Sequence, residues 1–110
     1  MIRVQIERSK ANDAILSFRV EGHAQYADPG QDIVCAGVSA VTVGTVNAIE
    51  KLTGVVLDSR MKNGFIRSRV TDDLPQAQKA QVQLLLESMV VMLLTIEESY
   101  GDFIAVRFHH

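Results

Sequence analysis

A single cysteine, Cys35, in a chain of 110 residues excludes an internal disulfide and any zinc site built on several thiolates. The lack of a second thiol also removes dithiol redox chemistry within the chain. No sign of charge dominates: 11 lysines and arginines stand against 13 acids, so the net charge of −2 gives no overall basic footprint for nucleic acid. A local basic patch stays open. Neither kind of glycine-rich phosphate loop occurs, the P-loop or the dinucleotide fingerprint. There is no tandem repeat and no low-complexity tract. The start, Met1 to Arg8, alternates apolar and charged residues and has no signal-peptide core. The most apolar run, Leu84 to Ile96, is too short to cross a bilayer and contains Glu87. The expectation is a cytoplasmic protein with no membrane contact, no metal and no cofactor.

What is present reads as one domain, residues 1–110, of ordinary globular composition and able to bury one small core. Ile2, Val4 and Ile6 alternate with Arg3, Gln5 and Glu7, the pattern of a half-buried strand. Ile15 to Val20 predicts a second strand, with Leu16, Phe18 and Val20 on one face, and the two form a hairpin. Residues 21–31, with Gly22, Asp28, Pro29 and Gly30, predict a long loop, a place where function concentrates. Asp32 is a candidate N-cap for a helix to Thr53, with Val34, Val38, Val41, Thr45, Ala48 and Leu52 as its apolar stripe and Gly54 as its stop. Gly37 and Gly44 weaken that helix, which implies that packing needs the space. Val55 to Arg60 and Phe65 to Val70 flank Met61-Lys62-Asn63-Gly64, and Asn-Gly between such runs signals a hairpin. Asp72-Asp73-Leu74-Pro75 opens a second helix, with Pro75 in its first turn, that Gly101 ends. A last strand covers residues 103–108. The fold class is α+β, in the order β-β-α-β-β-α-β, a mostly antiparallel sheet packed with two helices. The second helix is apolar around most of its circumference, more than one sheet can cover, and this predicts a homodimer.

Chemistry concentrates between His23 and Cys35. With Asp32 as N-cap, Cys35 is the third helical residue, where unpaired N–H groups and the helix dipole favour a thiolate and can hold an oxyanion. His23 opens the long loop. If that loop folds back over the helix start, imidazole and thiol form the minimal nucleophile and base pair. Each residue also has a plain role: Cys35 as a small core residue, His23 as a surface loop residue. Asp32 either caps the helix or orients His23. Ser39, one turn beyond Cys35, either hydrogen-bonds near the site or permits close packing. His23, Asp28, Asp32 and Cys35 match no common zinc spacing. Arg60, Lys62, Arg67 and Arg69 make a local basic strip, either a solvated strand face or a dock for an acidic partner such as ribosomal RNA. His109 and His110 are set aside from this reading.

The run Gly22-His23-Ala24, then Tyr26-Ala27, Gly30 and Asp32-Ile33-Val34-Cys35-Ala36, then Val38-Ser39-Ala40 closely resembles the signature of the ribosomal-processing cysteine proteases. That family was first known as a domain of unknown function encoded beside large-subunit ribosomal proteins in Firmicutes and relatives. The resemblance implies a site-specific cysteine endopeptidase that removes the N-terminal extension of the large-subunit ribosomal protein called twenty-seven. The cut follows a hydrophobic, phenylalanine-containing stretch. It implies Cys35 as nucleophile, His23 as base, Asp32 and Ser39 as residues around the site, and Gly22 and Gly30 as hinges of a loop that reorganises around substrate. It also implies a ribosomal protein precursor as partner, and a dimer. Gly37 stands where the family often has alanine. The competing reading is a non-catalytic ribosome-associated binding module with Cys35 in its core.

Overall fold

The computed structural model describes residues 1–28 and 31–110. Its elements are β1 (Ile2–Arg8), β2 (Ile15–Glu21), α1 (Ile33–Thr53), β3 (Asp58–Lys62), β4 (Phe65–Arg69), α2 (Gln76–Tyr100) and β5 (Ile104–His109). The predicted order therefore holds. The strands form one sheet in the order β3-β4-β2-β1-β5, antiparallel throughout except for the parallel pair β1 and β5. One face of the sheet is covered by the two helices. Ile2, Val4, Ile6, Phe18, Val20, Ile66, Ile104 and Val106 are buried there, against Val34, Val38 and Ile49 of α1 and Val82, Leu86, Met89, Val90 and Leu93 of α2.

Strict alternation fails at the start of β2. Ile15 is fully buried and Leu16 is 42% exposed, the reverse of the predicted phase. A β-bulge is the cause: Glu7 pairs with Ser17, but Arg8 pairs with Ile15, so Leu16 is the extra residue. The bulge turns Ile15 inward, where burial contributes about 1.5–3 kcal/mol. Gln83 of α2 then serves the Ile15 backbone, its amide accepting from the N–H and donating to the carbonyl, both at 2.8 Å.

The α1 stripe is also displaced. Its buried residues are Val34, Val38, Thr42, Thr45 and Ile49, while Leu52 is 71% exposed. The predicted stripe keeps the 3.6-residue repeat, so the displacement is a rotation of the buried face toward Thr42 and Ile49, and Thr42 can enter the core because its hydroxyl donates to the Val38 carbonyl at 2.8 Å. Gly44 has no neighbour that a Cβ would meet, and at Gly37 a Cβ would find only ordinary contact with Ile96, so packing within one copy requires neither glycine. Strand β3 begins later than expected, because Val55 and Leu57 are buried in the connection before it. The β3–β4 turn is tighter than the predicted four residues: Lys62 pairs with Phe65, leaving Asn63-Gly64 as the two-residue loop, with Gly64 at φ 75°. Helix α2 starts at Gln76, after the Asp72-Asp73-Leu74-Pro75 segment expected to open it, with Pro75 in the cap position and not in the first turn.

Candidate active site

The loop after β2 folds back over the start of α1, and backbone hydrogen bonds hold it there. Gly22 N–H donates to the Gly64 carbonyl at 3.0 Å. Gly22 has φ 90°, and a Cβ on it would overlap the Met1 carbonyl oxygen, so both conformation and space require glycine. Ala24 is buried, and its N–H donates to the Cys35 sulfur at 3.3 Å. The tip is fixed by an aromatic cluster: the Tyr26 ring meets Tyr100 and Phe103 edge-on, with centroids at 5.7 and 5.1 Å. Gly30 lies outside the described residues.

Asp32 joins loop and helix. Its Oδ1 accepts from Val34 N–H and Cys35 N–H, both at 3.0 Å, which is the predicted cap. Its Oδ2 accepts from Tyr26 N–H at 2.9 Å and from Ala27 N–H at 3.5 Å. Burial opposes ionisation of Asp32, but hydrogen bonds from the Cys35, Tyr26 and Ala27 backbone, and from the Cys35 thiol, outweigh it and hold the carboxyl below its ordinary value. Of the two roles considered for Asp32, capping is the one its hydrogen bonds show; none runs to His23. The loop tether was not foreseen. Of the N–H groups expected to hold an oxyanion, those of Val34 and Cys35 are engaged by this carboxylate and that of Ala36 by the Asp32 carbonyl, at 3.1 Å.

Cys35 is half-buried and forms no disulfide. His23 is exposed and rests on the Asn63-Gly64 turn, where a Cβ on Gly64 would come within 2.6 Å of its Nε2 and 2.8 Å of its Cε1. No hydrogen bond joins imidazole and thiol; both open onto one cavity of ≈ 190 Å³ between α1 and the β3–β4 hairpin. Ile2, Val20, Val38, Met61 and Ile66 give that cavity an apolar wall, and Ser39 lies at its rim. A second, outer depression also contains His23, Asp32, Cys35 and Ser39. The structure thus brings His23, Asp32, Cys35 and Ser39 to one place, with Gly22 at its base. Sequence reasoning gave Gly64, Ala24 and Tyr26 no role at the site, although Ala24 and Tyr26 lie in the motif. The Asn-Gly pair marked the turn, but nothing local said that an imidazole lies on it. No cluster of metal-ligating side chains occurs among the described residues.

Such a site, with a nucleophile at a helix start, a histidine across a small apolar cleft and a tethered loop, suits acyl transfer through sulfur. Residues 1–105 match the family model described as cysteine protease Prp. The chain is 43% identical over 108 residues to the ribosomal processing cysteine protease Prp of Bacillus subtilis, covering 96% of each. It is similar to the crystal structure of a ribosomal processing protease Prp from S. aureus with a covalently linked product peptide, at TM-score 0.88 and 36% identity over 98% of this chain and 99% of that one. The same S. aureus protease with a substrate peptide matches at TM-score 0.83 and 35% identity, with the same coverage of both chains. With family model, relative and solved structures agreeing over nearly its full length, the chain belongs to the Prp family and is a cysteine protease.

Proposed function

We propose that this protease removes the N-terminal extension of large-subunit ribosomal protein twenty-seven, cutting after a hydrophobic, phenylalanine-containing stretch. The observation that carries this reading is the apolar cavity onto which Cys35 and His23 both open. It offers a water-poor wall for a large side chain within reach of the sulfur. In the proposed reaction His23 takes the thiol proton and the Cys35 sulfur attacks the peptide carbonyl, forming a carbon–sulfur bond as the carbonyl pair moves onto oxygen. Collapse of that oxyanion breaks the carbon–nitrogen bond, and His23 protonates the leaving amine. Water, deprotonated by His23, then hydrolyses the thioester and returns the thiol.

Because Asp32 engages the first-turn N–H groups, Ala24 N–H takes the role of the nearest oxyanion donor. It already contacts the sulfur at 3.3 Å, and an entering carbonyl replaces the sulfur as its acceptor. The loop that Gly22 opens moves to admit the peptide, and Ser39 lines its path. Closure that needs the correct sequence limits damage to other proteins. A cytoplasmic location, where the ribosomal precursor is made, and association with the ribosome go with this reading. So does a homodimer: Leu84, Val91, Met92 and Leu94 of α2 are exposed, an apolar surface that a second copy would cover. Both helices are long and apolar enough to cross a membrane, but each lays its buried face on the sheet.

The test is a peptide spanning the extension junction. The wild-type protein cuts it once, after the phenylalanine-containing stretch, and leaves a scrambled peptide intact. Absence of cleavage by the wild type would overturn the substrate assignment while leaving the cysteine protease standing.

A further inference from the structure

The face of the sheet turned away from the helices carries an excess of positive charge that the molecule as a whole conceals. Arg3, Arg19, Arg60, Lys62, Arg67 and Arg69 occupy outward positions there, against the acids Glu7, Glu21 and Asp58, in a chain whose net charge is −2. The register makes the pattern sharper than the sequence does. Arg60 pairs with Arg67 and Arg67 with Arg19, so three arginines stand directly opposite one another on β3, β4 and β2. Neighbouring strands are about 4.8 Å apart, and like charges set opposite each other destabilise a sheet. Arg19 has partial relief from Glu21 at 3.5 Å; Arg60 and Arg67 make no ion pair among the described residues. At the far edge Arg107 turns to Glu97, at 3.8 Å, and does not extend the row.

We propose that this open face binds the phosphate backbone of single-stranded RNA. Five of the six cations are arginines, whose planar forks suit phosphate and stack on bases. Arg19 already lies over an aromatic ring, with its guanidinium carbon 5.4 Å from the Phe65 ring centroid. A second copy of the chain is a poor occupant, since a twofold contact would set the arginine row against itself. The β3–β4 hairpin links the two functions of the molecule: its turn borders the catalytic cavity and its strands carry Arg60, Arg67 and Arg69. RNA held on the sheet face would leave the cleft between turn and α1 accessible to peptide. The proposal does not depend on which precursor the protease cuts.

The experiment measures binding of a labelled twenty-nucleotide polyuridine to the full chain across a salt series, with polyglutamate and phosphatidylserine vesicles as the competing anions. For about three phosphates neutralised on a single strand, log K falls against log salt with a slope of about −2. The paired substitution Arg60→Gln and Arg67→Gln weakens binding about tenfold or more and makes the slope shallower by about 1.4. The melting temperature of this variant stays level or rises, because two crowded charges are gone, and cleavage of the free peptide is unchanged. Absence of RNA binding at low salt, equal or tighter binding of polyglutamate or vesicles, or RNA affinity unaltered in the paired variant would each overturn the proposal.

Discussion

The two helices lie on one sheet but are secured in different ways. Helix α1 is fixed at its ends. Asp32 caps its start, and at its close Gly54, at φ 77°, donates its N–H to the Glu50 carbonyl at 2.9 Å. Helix α2 has no side-chain cap hydrogen bond, and Gly101 after it is not left-handed. It is tied along its length instead. Gln83 pairs with the Ile15 backbone, Glu87 with Arg8 through two contacts at 2.7 and 2.8 Å, and Glu97 accepts from Val106 N–H at 2.6 Å. Lateral ties locate a helix on its support, whereas a capped first turn locates the few atoms around it. The chemistry sits on the helix whose end is held, and the other helix holds the sheet that carries it.

The comparison breaks most sharply at Cys35. Cys35→Ala on α1 abolishes cleavage of the junction peptide in a mass-spectrometric assay while the melting temperature stays close to wild type; residual cutting would transfer the nucleophile elsewhere. Asp32→Ala comes next. Loss of the cap and of the tether to Tyr26 and Ala27 lowers cleavage about 100-fold, the size expected when reacting groups shift by an ångström. Amide exchange should accelerate at residues 26, 27, 34 and 35 and not along α2. A matched pair of glycines sharpens the point. Gly54→Ala and Gly64→Ala both place alanine at φ near 75°, at about 1–2 kcal/mol each. Only at Gly64 would the new Cβ meet the His23 ring, so both variants melt lower but only Gly64→Ala slows thiol alkylation and peptide cleavage.

The smallest effect belongs to α2. The hydrogen bond from Arg8 holds the Glu87 carboxyl below its ordinary value; burial opposes this, and the charge of Arg8 adds to it. A carboxyl lowered by folding contributes stability above its unfolded value and loses that contribution as pH falls through the folded one. Glu87 is 46% exposed, so Glu87→Gln should cost only about 0.5–1 kcal/mol at neutral pH. That difference vanishes in acid, with peptide cleavage intact. Chemical denaturation at two pH values reads it directly.

Much of this was legible in the chain itself. The element order followed from alternation, the Asn-Gly pair and the glycine after Thr53. That Cys35 and His23 share one cavity followed from the lone thiol at a helix start, a histidine twelve residues before it and the motif that contains both. What stayed hidden depends on pairs far apart in sequence. The Leu16 bulge shows only when β2 is set against β1, and the amide clamp that accommodates it comes from residue 83. The seat of His23 on Gly64 joins two loops that share no local pattern. The arginine row exists only in the register of three strands. The sequence marked Asp32 as a cap, but the reading of the first turn as an oxyanion site did not allow for the cap's own claim on the Val34 and Cys35 N–H groups.

The parallel pairing of β1 with β5 has a consequence for timing. Ile2 N–H donates to the Phe103 carbonyl, Ile104 and Val106 complete the layer that the first strand begins, and the Tyr26 ring leans on Tyr100 and Phe103. The loop over Cys35 is therefore braced by residues more than 70 positions further along the chain. Until Tyr100 and Phe103 have been synthesised, β1 has no neighbour on one side and the Tyr26 ring has nothing to lean on.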